Sequence, residues 1–420
     1  MATKYWLGTA TATAQVDNLT PGGVIEIGDE FDVTLTDEGG TAHTIKTVAT
    51  GTTVQSVCED VQAALDASTD VEFAKITWTE DDTKIIGTAD TAGVPFYCTV
   101  ATYESGGGMA DAQTFARSAG TANSGPNDWN TALNWSDSAV PVNADNVYFR
   151  LNSVSCLYGL NQTAIDLALL EFEQSYTGLV GLADYFLRVG TATALNIGRH
   201  TGSGTLPSGS QRIKVNLAAT ASTINVYNTA STAIDSNQLE PVQLLGTHAN
   251  NTLTLYSGKV GVAINTPSAV STLATVNQTG GTLRLPPGVT LTTLNMTAGT
   301  CYLGCAATTI ATLGSAVLTT YGAGAVTTIN ATGGTVTRDG TGTVTTLNNR
   351  GATVYYDGTG TVTTLAMTGG TTDYTRSRAA RTITTPTISA GATFKVDESV
   401  VTLTNKLATS GNVSIAATAA

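Results

Sequence analysis

The sequence predicts a mainly β protein: a right-handed parallel β-helix preceded by a small α/β domain with one helix. Three observations carry that expectation. A four-residue pattern, apolar then two small residues then apolar (as in Val344-Thr345-Thr346-Leu347), recurs at 270–273, 291–294, 310–313, 326–329, 344–347, 362–365 and 383–386. The starts of successive copies are separated by 21, 19, 16, 18, 18 and 21, and near-fixed self-similarity of this length marks a solenoid. A second apolar column follows a glycine: Gly281 before Leu283, Gly334 before Val336, Gly351 before Val354 and Gly391 before Phe394. Finally, only 12% of residues are charged, about half the usual share. Stacked strands can carry uncharged threonine outward, because a β-branched hydroxyl packs well on a pleated face.

The bulk numbers exclude several functions. A net charge of −13 repels phosphate backbones, so no nucleic-acid partner is expected. No run of eighteen apolar residues exists, so no membrane partner is expected. Residues 1–6 lack an apolar stretch after basic residues, so a secretory leader is not expected either. The five cysteines, at 58, 98, 156, 301 and 305, have neither the pairing nor the nearby histidines of a zinc site. They read as buried free thiols, with no metal and no cofactor.

Taken in order, 1–25 is an N-terminal segment and 26–103 the small α/β domain. Phe31, Val33 and Leu35 alternate as a half-buried strand; Glu38-Gly39-Gly40 turns the chain, and His43–Lys46 returns. Val54, Val57, Val61 and Leu65 form one helical stripe, capped by Thr52 or Thr53. Strands are expected at 73–78, 84–86 and 95–100. Residues 104–125, rich in Gly, Ala, Ser and Thr, read as a linker. A tryptophan-capped opening with irregular coils follows at 126–265, and regular coils at 266–420. About 14 coils stacked some 4.8 Å apart would make a rod on the order of 65 Å. The tail, 407–420, alternates at Val413 and Ile415 but has no charge to protect an edge strand.

The residues Tyr5, Trp6 and Gly8, then Gly125 to Trp129, Asn134 to Ser136, Pro141, Asp145 and Val147 carry a resemblance. With them the chain resembles tailed-phage and prophage virion structural proteins. These share a "yWlG" start, an inserted small domain with a valine-striped helix, and a "GPNDW…NWS…P…D.V" segment leading into a parallel β-helix. The resemblance spans nearly all of the chain, and its middle segment is the most specific part. It implies a place on the outer surface of a virion, as a capsid decoration, a head fibre or a tail spike. Physically, the tryptophans suit a lid over the first coil.

Candidate sites are few. Asp339 and Asp357, in Arg338-Asp339-Gly340 and Tyr356-Asp357-Gly358, are separated by one coil step of the repeat. Paired carboxyls about 5–5.5 Å apart suit a retaining glycosidase; the alternative is a repeated Asp-Gly tight turn. Asn277, Asn295, Asn330 and Asn348 read as an amide ladder, the first three alternatively as glycosylation acceptors. His43, His200 and His248 have no ligand spacing. Arg376, Arg378 and Arg381 form one basic cluster, either docking on an acidic neighbour or in an exposed loop. The expected function is non-enzymatic: a homo-oligomer, as a trimer, contacting other virion proteins and a host-surface glycan. The rival is a tail spike that binds or cleaves polysaccharide through Asp339 and Asp357.

Overall fold

The computed structural model describes residues 2–104, 108–109, 112–200, 202–203, 205–217, 221–264, 266, 270–411 and 414–418. The chain builds a parallel β-solenoid with a small domain inserted into its first coil. Strand β1 (Thr3–Tyr5) pairs in parallel not with its sequence neighbours but with Asn146–Phe149, Tyr5 lying opposite Tyr148. Between them the chain leaves the rod at Thr13 and returns at Ser124, whose backbones bond at 2.7 Å.

The inserted domain holds strands β2 (Val16–Gly23), β3 (Glu30–Thr36), β4 (Ala42–Val48), helix α1 (Val54–Asp66), β5 (Ile76–Glu80), β6 (Ile85–Ala89), β7 (Tyr97–Glu104), β8 (Gly108–Met109) and β9 (Gln113–Thr121). They form two antiparallel sheets, β5-β6-β2-β9 and β4-β3-β7-β8. The helix buries Val57, Cys58, Val61 and Leu65 and is capped by Thr53, whose hydroxyl accepts from the Ser56 amide at 3.1 Å. Two expected boundaries are corrected here. The stretch 104–125 is not a linker: β9 pairs along the whole of β2, and Arg117 holds the buried Asp17 through two bonds of 2.7 and 2.9 Å. Its small residues hid a strand because one of its faces needs little apolar area; 105–107 and 110–111 lie outside the described residues. Likewise 1–25 is split, β1 belonging to the rod and β2 to the insertion.

In the rod, one outward column can be followed through the whole stack. It runs Tyr5, Tyr148, Glu171, Asn196, Asn225, Thr254, Asn277, Asn295, Ala311, Asn330, Asn348, Ala366, Thr387, Ala408. Fourteen stacked residues mean thirteen steps, hence a rod of about 62 Å. Beside it an inward column joins Val276, Leu294, Ile310, Ile329, Leu347 and Leu365, all buried. A second inward column joins Leu283, Cys301, Leu318, Val336, Val354, Thr372 and Phe394. Strict alternation would bury one of two adjacent threonines, but Thr345 and Thr346 both point away from the core. The pattern therefore marks a corner, where the chain turns from one face to the next.

Two repeats are displaced from where the sequence placed them. The corner preceding Leu291 starts at Leu273, not Val270, and the one following it at Ala307, not Ile310. Val270 and Leu313, which the sequence pattern took as inward, are 60% and 52% exposed. True spacing is thus 18, 16, 19, 18, 18 and 21 from Leu273 to Ile383. At the next corner, Gly281, Gly299, Gly334, Gly370 and Gly391 have φ between +67° and +87°, which only glycine adopts without strain. All five cysteines are free and buried. Of the tail, Ile415 is the register partner of Phe394; Val413 lies outside the described residues.

Candidate functional site

Three places combine specific side chains with defined geometry. The first is the lid. Trp6, Trp129, Trp135 and Phe149 are at most 1% exposed and meet in edge and stacked contacts, with ring centres 4.7 Å apart for Trp129–Trp135 and 5.1 Å for Trp6–Trp135. Phe149 passes the stack on to Phe172 at 4.8 Å. The residues between them position the lid. The Asn134 side chain is fully buried: its amide donates to the carbonyls of Gly125 (2.7 Å) and Asp128 (2.8 Å), and its oxygen accepts from the Ala10 amide (2.9 Å). Asp145 accepts from the Ala2 and Val142 amides. Any side chain on Gly125 would strike the backbone of Gly93, 2.5 Å from the Cβ position. These polar members of the segment thus close the rod's first turn.

The second place holds Asp339 and Asp357. Arg338 and Tyr356 are register partners, so the two aspartates that follow them are one coil apart, as the spacing predicts. Asp339 is exposed. Asp357 is half-buried, and burial raises its pKa from the usual carboxylate value, opposed by Arg376, whose guanidinium lies 3.3 Å away. Neither Gly340 nor Gly358 has a positive φ, so no left-handed turn position demands them. They are glycines because of close approach. A Cβ on Gly340 would lie 2.2 Å from the Arg338 guanidinium, and one on Gly358 would lie 2.1 Å from the Gly340 carbonyl.

Arg338 itself is 1% exposed. It donates to Thr320 Oγ1 at 2.8 Å and to the Gly342 and Gly324 carbonyls at 2.5 and 3.1 Å; burial lowers its pKa. Arg381 is also buried, donating to the Tyr356 and Tyr374 carbonyls at 2.7 and 2.9 Å. The basic cluster is therefore divided: Arg381 is structural, Arg376 lies over Tyr355 at 4.1 Å, and Arg378 is exposed. The asparagine ladder is present, Asn295 donating to Asn277 at 3.0 Å and Asn348 to Asn330 at 2.9 Å. It also has an earlier run that the sequence did not mark, Asn225 to Asn196 to Glu171.

The third place, absent from the sequence reading, is the joint between insertion and rod. The β3–β4 turn docks on the coils. Glu38 accepts from the Gly159 and Leu160 amides at 3.1 and 3.0 Å and from the Tyr97 hydroxyl at 3.2 Å. Burial nevertheless raises its pKa above the usual value. Tyr185 donates to Asp37 at 2.8 Å, and Arg188 donates to the carbonyls of Glu38 and Gly39. For Asp37, burial works upward, but the bonds from Thr41 and Tyr185 outweigh it and lower its pKa. His43 lies 3.7 Å from Asp37 and bonds Asp70 at 2.8 Å, which raises the imidazole pKa. Beside this contact opens a cleft of about 460 Å³ lined by both bodies. Only Glu38-Gly39-Gly40 hinted at the joint, and it read as a turn; the partners Tyr185 and Arg188 come only after the whole insertion and the lid segment.

Compared with known families, curated proteins and solved structures, the chain matches none. Among the described residues no group of three or more His, Cys, Asp or Glu is placed to hold a metal ion, and no helix is long and apolar enough to cross a membrane.

Proposed function

We propose that this protein is a non-enzymatic structural component of a tailed-phage particle surface, a capsid decoration or short fibre that works as a homotrimer. The observation that carries the reading is the single unbroken stack. One column of paired residues runs through fourteen rungs from Tyr5 to Ala408, past local register shifts in two of the pairings. Their main-chain bonds run along the axis, so a pull or bend is shared by many parallel ladders. The residues that carry the resemblance to virion proteins are those that build the lid. The outward column Thr223, Thr252, Thr275, Thr293, Thr309, Thr328, Thr346, Thr364, Thr385 is uncharged, so copies can approach one another along it without charge repulsion.

In this role one end of the rod anchors on other virion proteins while the remainder meets the host-surface glycan. Purified particles test it directly: labelled antibody should decorate them, and the isolated protein should sediment at three times 42.9 kDa. Particles lacking the protein would end the proposal. The stacked Asp339 and Asp357 favour a second reading, a spike that cleaves polysaccharide. Release of oligosaccharide from host glycan, lost in Asp357→Asn, would select it; the Arg376 pairing and the exposure of Asp339 weigh against it.

A further inference from the structure

The cleft at the joint has a chemistry that a scaffold does not use. Its volume of about 460 Å³ falls within the roughly 300–1,000 Å³ over which protein clefts hold ligands. Aromatic residues line it from both bodies, Phe96 and Tyr97 from the insertion and Tyr158 and Tyr185 from the coils. Four carboxylates line it, Asp37, Glu38, Glu72 and Asp90, against one ammonium, Lys75. Of these, Asp37 and Glu38 are committed to the joint, with Arg188 and His43 close by. Glu72 shares Lys75 at 2.6 Å, and the exposed Asp90 accepts only from Thr77, at 2.7 Å, among the described residues.

Elsewhere on the rod, three outward tyrosines are covered by arginine, while Tyr227 and Tyr256 cover each other at 5.0 Å. Arg150 lies 4.0 Å over Tyr5, Arg284 4.2 Å over Tyr302 and Arg376 4.1 Å over Tyr355. No lysine or arginine among the described residues covers Tyr97, Tyr158, Tyr185 or Phe96. A cation within about 6 Å of a ring face is drawn by the ring quadrupole, and the excess of carboxylates draws it further while repelling phosphates and acidic sugars. We propose that the cleft binds a lysine or arginine side chain presented on an extended basic segment of a partner protein. The bound cation touches insertion and coils together, so it fixes their joint. This inference does not depend on the virion reading.

Calorimetry on the full chain with a tetra-arginine peptide, blocked at both ends, tests it at about 150 mM salt, where charges beyond about 8 Å are screened. Saturable one-to-one binding is expected. The pair Glu72→Gln and Asp90→Asn should weaken it about tenfold, as loss of complementary charge does. The pair Asp81→Asn and Asp82→Asn removes the same charge at the opposite end of β5 and β6 and should change it less than about twofold. Tyr158→Leu should weaken it as well; if that variant does not fold, the two surface pairs still decide. Absence of saturable binding, or equal loss in both carboxylate pairs, overturns the proposal. So does binding of neutral maltotriose that needs Tyr158 and ignores Glu72 and Asp90, which would make the cleft a sugar site.

Discussion

The first rungs and the rungs beyond Asn277 share one continuous column but are held in different ways. From Tyr148 to Thr254 the numbering advances by 23, 25, 29 and 29 per rung, and beyond Asn277 by only 16 to 21. The opening coils rest on unlike parts: a tryptophan lid, a fully buried asparagine with three bonds, and carboxylates that each close one turn. The later coils rest on equivalence, with Leu over Leu, Thr over Thr and Asn over Asn. In the first region most residues have one assignment, the stacked pairs Asn196–Asn225 and Thr223–Thr252 apart. In the second a residue's value comes from the neighbour above and below it, as in any quasi-one-dimensional array.

That contrast can be broken by substitution. Trp135→Ala should have the largest effect, about 3–5 kcal/mol for a buried aromatic, and should lower the unfolding midpoint of the whole rod, because the lid has no second copy. Leu347→Ala should cost about 2–5 kcal/mol, with faster hydrogen exchange confined to the coils of Ile329 and Leu365. Exchange that spreads to the lid would show the two regions to be one cooperative unit. Asn295→Ala should cost about 0.5–1.5 kcal/mol, the worth of one hydrogen bond, read by denaturant titration against Asn348→Ala. Similar values would show the rungs to be interchangeable.

The smallest effect concerns the joint. His43 has a raised pKa in the folded protein, so its contribution to stability is full below its unfolded value of about 6.5 and is lost as pH rises through the folded value. The Asp70 carboxylate, lowered first by the Glu72 amide and then by His43, works oppositely and loses its share as pH falls through its folded value. Unfolding midpoints between about pH 5 and pH 9 should therefore fall on the alkaline side, and His43→Gln should flatten that slope.

Legibility followed the same divide. Period, the amide ladder and the corner glycines Gly281, Gly334 and Gly391 were readable because repetition declares what each position does; Gly351 was not one of them, since it lacks a positive φ and Ala352 stands opposite Gly334. Yet the same repetition hid the frame: Val270 and Ile310 fit the pattern as well as Leu273 and Ala307 do, and only the exposure of Val270 and Leu313 separates them. The lid was readable from its tryptophans. Strand β9 was not, since alanine, serine and glycine carry too little side chain to show a period. Arg381 read as part of an exposed or docking cluster, and Arg338 drew no reading of its own, because a buried guanidinium depends on carbonyls supplied by neighbouring turns, as with Gly324 for Arg338. The joint was invisible for the same reason: Glu38 meets Gly159 and Leu160 only after folding.

The placement of Tyr5 against Tyr148 has a consequence for synthesis on the ribosome. The Thr3–Tyr5 rung emerges well ahead of its partner strand, which is missing until the chain has grown past Phe149. Domains fold as units while the chain lengthens, so the insertion, complete by Thr121, can fold first and bring Thr13 beside Ser124. It then acts as a clasp that keeps the leading strand in place until Asn146–Phe149 arrives, and coils are added one after another behind it.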